Sequence, residues 1–397
     1  MRRERPPNVY LLCCVLALLA VGLTMVYSAS YAKASVYSET GGDGAFYAKK
    51  QILAALVGLL ILCTVQALSY RCLRRLSYPT FILAVGALLL VLVIGTVSQG
   101  ARRWFSLGFV SFQPSEFAKL AIVLAGARFL SQERTYFRTA QGFAVCSGVL
   151  LMVAGLIAKE DLGTAVALVL GTLALFYIAG ARRQHLVTLG VVMVLAGALC
   201  VAIEPYRFDR IYAWLYPQRT SLQGSYQANH SLIALGSGGP LGRGLCESRE
   251  KYFYLPAAST DCIFAVLGEE LGLAGTLTVL TLFLCIAYQG AVAARAASDR
   301  FSSLLAAGAT AMICCQALLN MAVVTGLLPT TGVPLPLISY GGTSLVITLA
   351  NAGLILNVSR GASLPAISRR RAVSRAPGYQ RRGSGLHRRR PVMGAGH

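Results

Sequence analysis

The chain has 397 residues, of which 56% are hydrophobic and only 13% charged, with a formal net charge of +21 and a mean hydropathy of +0.63. Runs of about 20 apolar residues recur along it, the length a helix needs to cross roughly 30 Å of hydrocarbon, so a string of soluble domains is excluded. The charge does not point to nucleic acid: the arginines sit in short loops and a tail, where membrane topology places them, and no recognition motif accompanies them.

In chain order the apolar runs predict about ten spans: Val9–Ala29, Gln51–Leu68, Tyr78–Thr96, Phe117–Leu130, Gly142–Ala158, Gly163–Ala179, Leu186–Ile203, Cys262–Tyr288, Leu304–Leu327 and Thr343–Val358. The runs are continuously apolar rather than alternating, which favours helices over a barrel. The expected fold class is therefore an all-α polytopic membrane protein. With ten spans the arginine clusters at 2–5, 71–75, 134–138, 182–183, 295–300 and 360–390 all fall on one side, which makes that side, and both termini, cytoplasmic. Most acids fall on the opposite face or in the outer part of the membrane. A large external loop, 204–260, separates spans seven and eight. Residues 1–360 form the membrane domain, and 361–397 read as a basic, disordered cytoplasmic tail that can touch anionic lipid headgroups.

The eleven cysteines lie mostly inside apolar runs and show neither CxxC nor Cys/His spacing, which argues against structural zinc and a disulfide scaffold. No P-loop, dinucleotide fingerprint, HExxH or GxSxG is present, so nucleotide hydrolysis and the usual hydrolase chemistries have no support.

Four stretches carry candidate chemistry. In "GARRWFSLGFVSFQPSEFAKLA", Arg102, Arg103 and Trp104 stand on the external side, either as an aromatic belt with snorkelling arginines or as a clamp for phosphates. Glu116 and Lys119, three apart on a helix entering the membrane, form a structural ion pair that lowers the cost of burying either. In "KEDLGTA", Asp161 is expected to cap the next helix. In "STDCIFAVLGEELGLAG", Asp261 is either an N-cap or a base; on a continuous helix Glu269 shares its face about 12 Å deeper and lines a polar cavity, while Glu270 points away and pairs with a neighbouring helix. In "NMAVVTGLLPTTGVPLPLISYGGTS", three prolines and four glycines break the helix. Broken backbone at membrane depth faces a cavity or a gate, so Ser339, Tyr340, Gly341 and Gly342 are candidate binding residues.

Together these blocks resemble the SEDS family (shape, elongation, division and sporulation), over about Val9 to Arg360. The match rests on Asn320, Gly326-Leu327, Pro329, Gly332-Val333 and Ser339-Tyr340-Gly341-Gly342-Thr343-Ser344, with "ARRWFSLG", "FQPSEFAKL", "DLGT" and "TDCIFAVLGEELGLAG" in order. "LGRGLCESREKYFYLP" looks more like the FtsW-like and SpoVE-like division and sporulation branch than the RodA-like one. The resemblance implies a peptidoglycan glycosyltransferase that polymerises lipid II at the outer face of the bacterial cytoplasmic membrane, at the division septum. Its implied partners are a class B penicillin-binding protein and other division proteins. The family's essential aspartate maps onto Asp261 and its motif tryptophan onto Trp104. Cys262 stands where the family usually has Phe, "PAASTD" replaces "PEAHTD" and "KEDLGT" replaces "QPDLGT". On this chemistry the departing diphosphate needs cations, for which Arg102, Arg103, Arg210 and Lys251 are candidates, together with a divalent cation such as Mg or Mn; no organic cofactor is needed. Two alternatives stay open: a lipid II flippase, and a catalytically weak scaffold that recruits the penicillin-binding partner.

Overall fold

A computed structural model describes residues 8–37, 40–98, 101–107, 110–216 and 223–361. The tail expected to be disordered lies outside the described residues apart from Gly361, which ends the last helix.

The chain opens with α1 (Val9–Val36), α2 (Phe46–Ala67) and α3 (Tyr70–Ile94). A small antiparallel sheet follows, β1 (Thr96–Ser98), β2 (Ala101–Leu107) and β3 (Val110–Phe112), in the order β1-β2-β3. Then come α4 (Pro114–Gln132), the short α5 (Arg134–Phe137), α6 (Ala140–Ala158), α7 (Leu162–Ala179) and α8 (Arg183–Ile203). The loop expected at 204–260 contains α9 (Pro205–Leu215) and α10 (Gln223–Ser237), and the chain ends in α11 (Ile263–Ala296), α12 (Arg300–Val324) and α13 (Gly342–Gly361). The protein is thus an almost wholly helical integral membrane protein. The sheet is the departure from the all-α expectation.

A helix stands at each of the ten expected spans, and nine are long and apolar enough to cross a bilayer among the described residues. The tenth, α4, carries Glu116, Lys119 and Arg128. It tolerates them because α3, α7 and α12 pack around it, leaving Glu116 and Lys119 buried. The core runs through α12 and α13, whose most apolar 18-residue stretches are 67% and 78% buried; that of α8, at 6%, lies on the periphery with its apolar side chains outward. At one end of the bundle the Asn8 side chain caps α1 and donates to Gln289 of α11 (2.9 Å), while its backbone N–H reaches Ser359 of α13. The first helix therefore begins where the last one ends, as an even number of crossings requires.

One break interrupts α11. Gly272 sits at φ 66°, ψ −163°, a conformation open only to glycine, so α11 is a short arm, Ile263 to Leu271, joined to a longer helix. The break leaves two carbonyls and two N–H groups without helical partners. The segment Gly239–Gly244 supplies them: Arg243 and Gly244 donate to the carbonyls of Glu269 and Glu270 (both 3.0 Å), and Leu273 and Ala274 donate to those of Gly239 and Pro240 (2.9 and 3.1 Å).

Candidate active site

Between α12 and α13 the chain runs without regular secondary structure, and its polar side chains hold the loop that carries Asp261. Asn320, near the end of α12, donates from Nδ2 to the carbonyls of Asp261 (2.8 Å) and Val333 (2.7 Å). Ser339 donates from Oγ to the Thr260 carbonyl (2.6 Å) and accepts from the Leu335 N–H (2.8 Å). Tyr340 N–H donates to the Ser259 carbonyl (2.9 Å). Gln51 of α2 closes the set from behind, donating to the Ser339 carbonyl and accepting from Gly341 N–H. Three consecutive residues, Ser259 to Asp261, are thereby fixed through their carbonyls, which leaves the Asp261 side chain free of the anchoring. The N-cap of α11 is Cys262, not Asp261, and no side chain caps it.

Asp261 faces a cavity of about 450 Å³. Its wall brings together Arg103 from β2, Lys159, Glu160 and Asp161 from the α6–α7 turn, Arg207 and Arg210 from α9, and the backbone of Pro329 to Gly332. Gly332 is at φ 73° and lies so near Asp261 that a Cβ there would stand 3.5 Å from Oδ2. Arg207 donates to the last carbonyls around the α6 terminus, Ala158 and Lys159 (both 2.9 Å), and Arg210 to Thr330 (3.1 Å). Burial raises the Asp261 carboxyl from its ordinary 3.8 to about 6; the negative charge of Asp161 adds to this, and Arg210 and Arg103 oppose it. The neighbouring Cys262 thiol is pushed up to about 11 by burial, so it is a neutral packing group that accepts from Gln227 (3.0 Å).

Of the residues expected to bind substrate, Arg103 and Arg210 meet Asp261 in this cavity. Arg102 does not. Strand alternation puts Arg102 and Trp104 on one face of β2 and Arg103 on the other, and the Arg102 N–H is taken by Glu160 (2.7 Å). Lys251 and Glu269 lie elsewhere, in two buried networks behind the break in α11. Lys251 pairs with Glu270 (2.8 Å) and Ser28 of α1 (3.0 Å), so Glu270 binds the loop as well as a neighbouring helix. Glu269 accepts from Ser248 Oγ (2.6 Å) and the N–H groups of Arg249 and Glu250, which organises the loop rather than lining a cavity. The expectation that it shares a cavity with Asp261 placed Asp261 on the helix, whereas Asp261 lies in the turn before α11, so the helical face of Glu269 does not extend to it. Ser339 to Gly342 stand behind the Asp261 loop instead of in the cavity wall. Glu116 and Lys119 pair at 2.7 Å, and Lys119 also reaches Gln316, whose amide donates to the Pro334 carbonyl, tying α4 to the broken segment.

Reading the sequence missed Lys159 and Arg207 and gave Asp161 only its cap. For Arg207 the signal was present: it precedes Arg210 by three residues, one turn along the same face of α9. Among the described residues no group of three or more His, Cys, Asp or Glu side chains is arranged to hold a metal ion. Asp161 is committed to Thr164 and Gln113. A second hollow, about 420 Å³ and almost wholly apolar, opens between α11 and α12, lined by Phe264, Gly268, Leu273, Leu318, Met321 and Leu327.

A helical membrane bundle that sets Asp261 in a polar pocket among four cations and further carboxylates, with a separate apolar hollow, has the form of an integral membrane enzyme. Residues 9–364 match the family described as cell cycle protein, FtsW/RodA/SpoVE, and the chain belongs to that family. It is 39% identical over 364 residues to stage V sporulation protein E of Bacillus subtilis (strain 168), covering 90% of this chain and 98% of that one. It is 37% identical to a probable peptidoglycan glycosyltransferase FtsW of Geobacter sp. (strain M18), over 91% and 100% of the two chains. Among solved structures it resembles a chain of a peptidoglycan synthase complex that coordinates polymerization and crosslinking (TM-score 0.73, 29% identity, 90% and 98% covered). It also resembles the rod shape determining protein RodA of Thermus thermophilus (TM-score 0.66, 30% identity, 90% and 98% covered).

Proposed function

We propose that the chain is a peptidoglycan glycosyltransferase that polymerises lipid II, with Asp261 as its general base. The observation that carries this is the placement of one carboxyl, raised to about 6, in a pocket with Arg103, Lys159, Arg207 and Arg210. A carboxylate with that proton affinity is ionised at neutral pH and is a much better base than an ordinary aspartate.

Transfer joins an acceptor sugar hydroxyl to the anomeric carbon of a polyprenyl-diphosphate-linked glycan. The hydroxyl proton passes to Asp261 as the new C–O bond forms. The bond from the anomeric carbon to the diphosphate breaks, and its electron pair leaves on the diphosphate oxygen. The guanidinium groups of Arg103, Arg207 and Arg210 and the Lys159 ammonium neutralise that charge. The backbone anchors on Ser259, Thr260 and Asp261 hold the base in position without consuming its side chain. A single displacement inverts the anomeric centre. The apolar hollow beside the arm of α11 suits a polyprenyl tail.

The activity serves septal wall synthesis, in assembly with a class B penicillin-binding protein that cross-links the strands. The curated FtsW relatives and the likeness to a synthase complex support this reading. The test is to incubate purified protein with lipid II, alone and with its transpeptidase partner, and separate the products by length. Glycan chains are expected from the parent and none from Asp261→Ala. Equal chain growth by Asp261→Ala overturns the role of the base, and lipid transfer across vesicles without chain growth would point to a flippase.

A further inference from the structure

Asp161 is bound more extensively than a helix cap needs. Its Oδ1 accepts from the Thr164 N–H (3.0 Å), which is the whole of the capping interaction. Its Oδ2 accepts from Thr164 Oγ (2.9 Å) and Gln113 Nε2 (3.4 Å) and lies 3.7 Å from an Arg103 nitrogen. Donors surround it on three sides, the environment of a carboxylate anion. It is buried, yet it lines the same cavity as Asp261. The close docking is built into the backbone: any Cβ at Gly163 would run into the Thr331 carbonyl, so the start of α7 sits directly against the segment that flanks Asp261.

We propose that Asp161 is a positioning residue for the reaction: a fixed negative charge, held by Thr164, Gln113 and Arg103, that keeps the Asp261 carboxylate strongly basic. The inference rests on Asp261 being the base. The other charged groups facing Asp261 are Arg103 from β2, Lys159 and Glu160 from the α6–α7 turn, Glu204 before α9, and Arg207 and Arg210 on α9; the flanking Pro329–Gly332 and Asn320 carry no titratable group, and the adjacent Cys262 thiol is neutral. Four cations in that wall would by themselves make Asp261 a weaker base. Asp161 opposes them by its own charge, and also by occupying Arg103. A diphosphate that draws Arg103 toward itself leaves Asp161 uncompensated, so the base strengthens as the donor substrate arrives.

The test reads the titration of Asp261 separately from catalysis. Full-length protein in detergent micelles is treated with a water-soluble carbodiimide and an amine, which trap protonated carboxyls, across a pH series, and labelling of the Asp261 peptide is followed by mass spectrometry. Asp161→Asn keeps the cap and the volume but removes the charge. Its labelling midpoint is expected to fall by roughly half a unit or more, the scale for a unit charge across a shared cavity. The acid limb of polymerisation should fall with it. Asp161→Ser, an equally good cap, should give the same shift and serves where the Asn variant does not fold. A folded variant whose midpoint coincides with the parent's overturns the proposal and leaves Asp161 a cap alone. A shifted midpoint with an unmoved polymerisation limb overturns the role of Asp261 as base, and with it the service of Asp161 to that role.

Discussion

Asn320 donates both hydrogens of its side-chain amide to backbone carbonyls, one at Asp261 and one at Val333. One side chain thereby fixes the catalytic loop to the broken segment that forms the cavity wall. Replacement by Ala leaves two carbonyls without their donor in a nearly closed site, at about 1–3 kcal/mol each if water does not replace it. Asn320→Ala is expected to lower kcat by at least tenfold and to depress the thermal midpoint in detergent. Asn320→Asp, which matches the volume but cannot donate, should be no better. A variant with parental kcat would show that the loop holds its place without this pin.

The pH dependence follows from Asp261. Its folded pKa of about 6 lies above the ordinary 3.8, so polymerisation should fall as pH drops through about 6, with an acid limb absent from binding of the lipid substrate. Stability has the opposite sign. The folded state holds the proton more tightly than the unfolded chain, so Asp261 costs stability as pH rises from 3.8 to 6 and by a constant amount above that. Asp261→Asn is therefore expected to be inactive yet more stable than the parent by about 1–3 kcal/mol at pH 7.5, with the gain vanishing below pH 4. Thermal unfolding at the two pH values checks it.

Lys251 distinguishes a structural role from a binding one. It is fully enclosed with Glu270 and Ser28. Lys251→Met leaves a buried carboxylate unpaired and should cost about 3–5 kcal/mol, whereas the double variant with Glu270→Leu should recover much of the loss. KM for the lipid substrate is expected to be unchanged in whatever folded fraction remains. A raised KM with parental stability would place Lys251 at the substrate.

Arg207 and Arg102 make a paired comparison. Arg207→Gln removes a cation from the cavity wall and should lower kcat/KM on the order of ten- to a hundredfold, as expected for one charged contact to a departing diphosphate. Arg102→Gln, on the outward face of β2, should change it by less than about threefold. Steady-state polymerisation by both variants checks the assignment, and the reverse order would mean that β2 turns over when substrate binds.

Hydrophobic length and charge placement in the sequence settled much of the fold: the positions of the ten long helices, the burial of Glu116 with Lys119, and the broken segment after α12. Those features are local, because a bilayer demands about 20 apolar residues and tolerates neither free backbone nor unpaired charge. The motif around Asp261 likewise pointed, from sequence, to the residue proposed as the base. What only the tertiary structure decided was which of several equivalent charges meet it. Arg102 and Arg103 are neighbours in the chain and face opposite ways because a strand alternates. Lys251 and Glu269 read as site residues until packing commits Lys251 to Glu270 of α11 and Glu269 to Ser248, Arg249 and Glu250 of the preceding loop. Arg207, Lys159 and Asp161 come from segments 54 to 102 residues away and converge on Asp261 through helix packing, a long-range relation that no local pattern encodes.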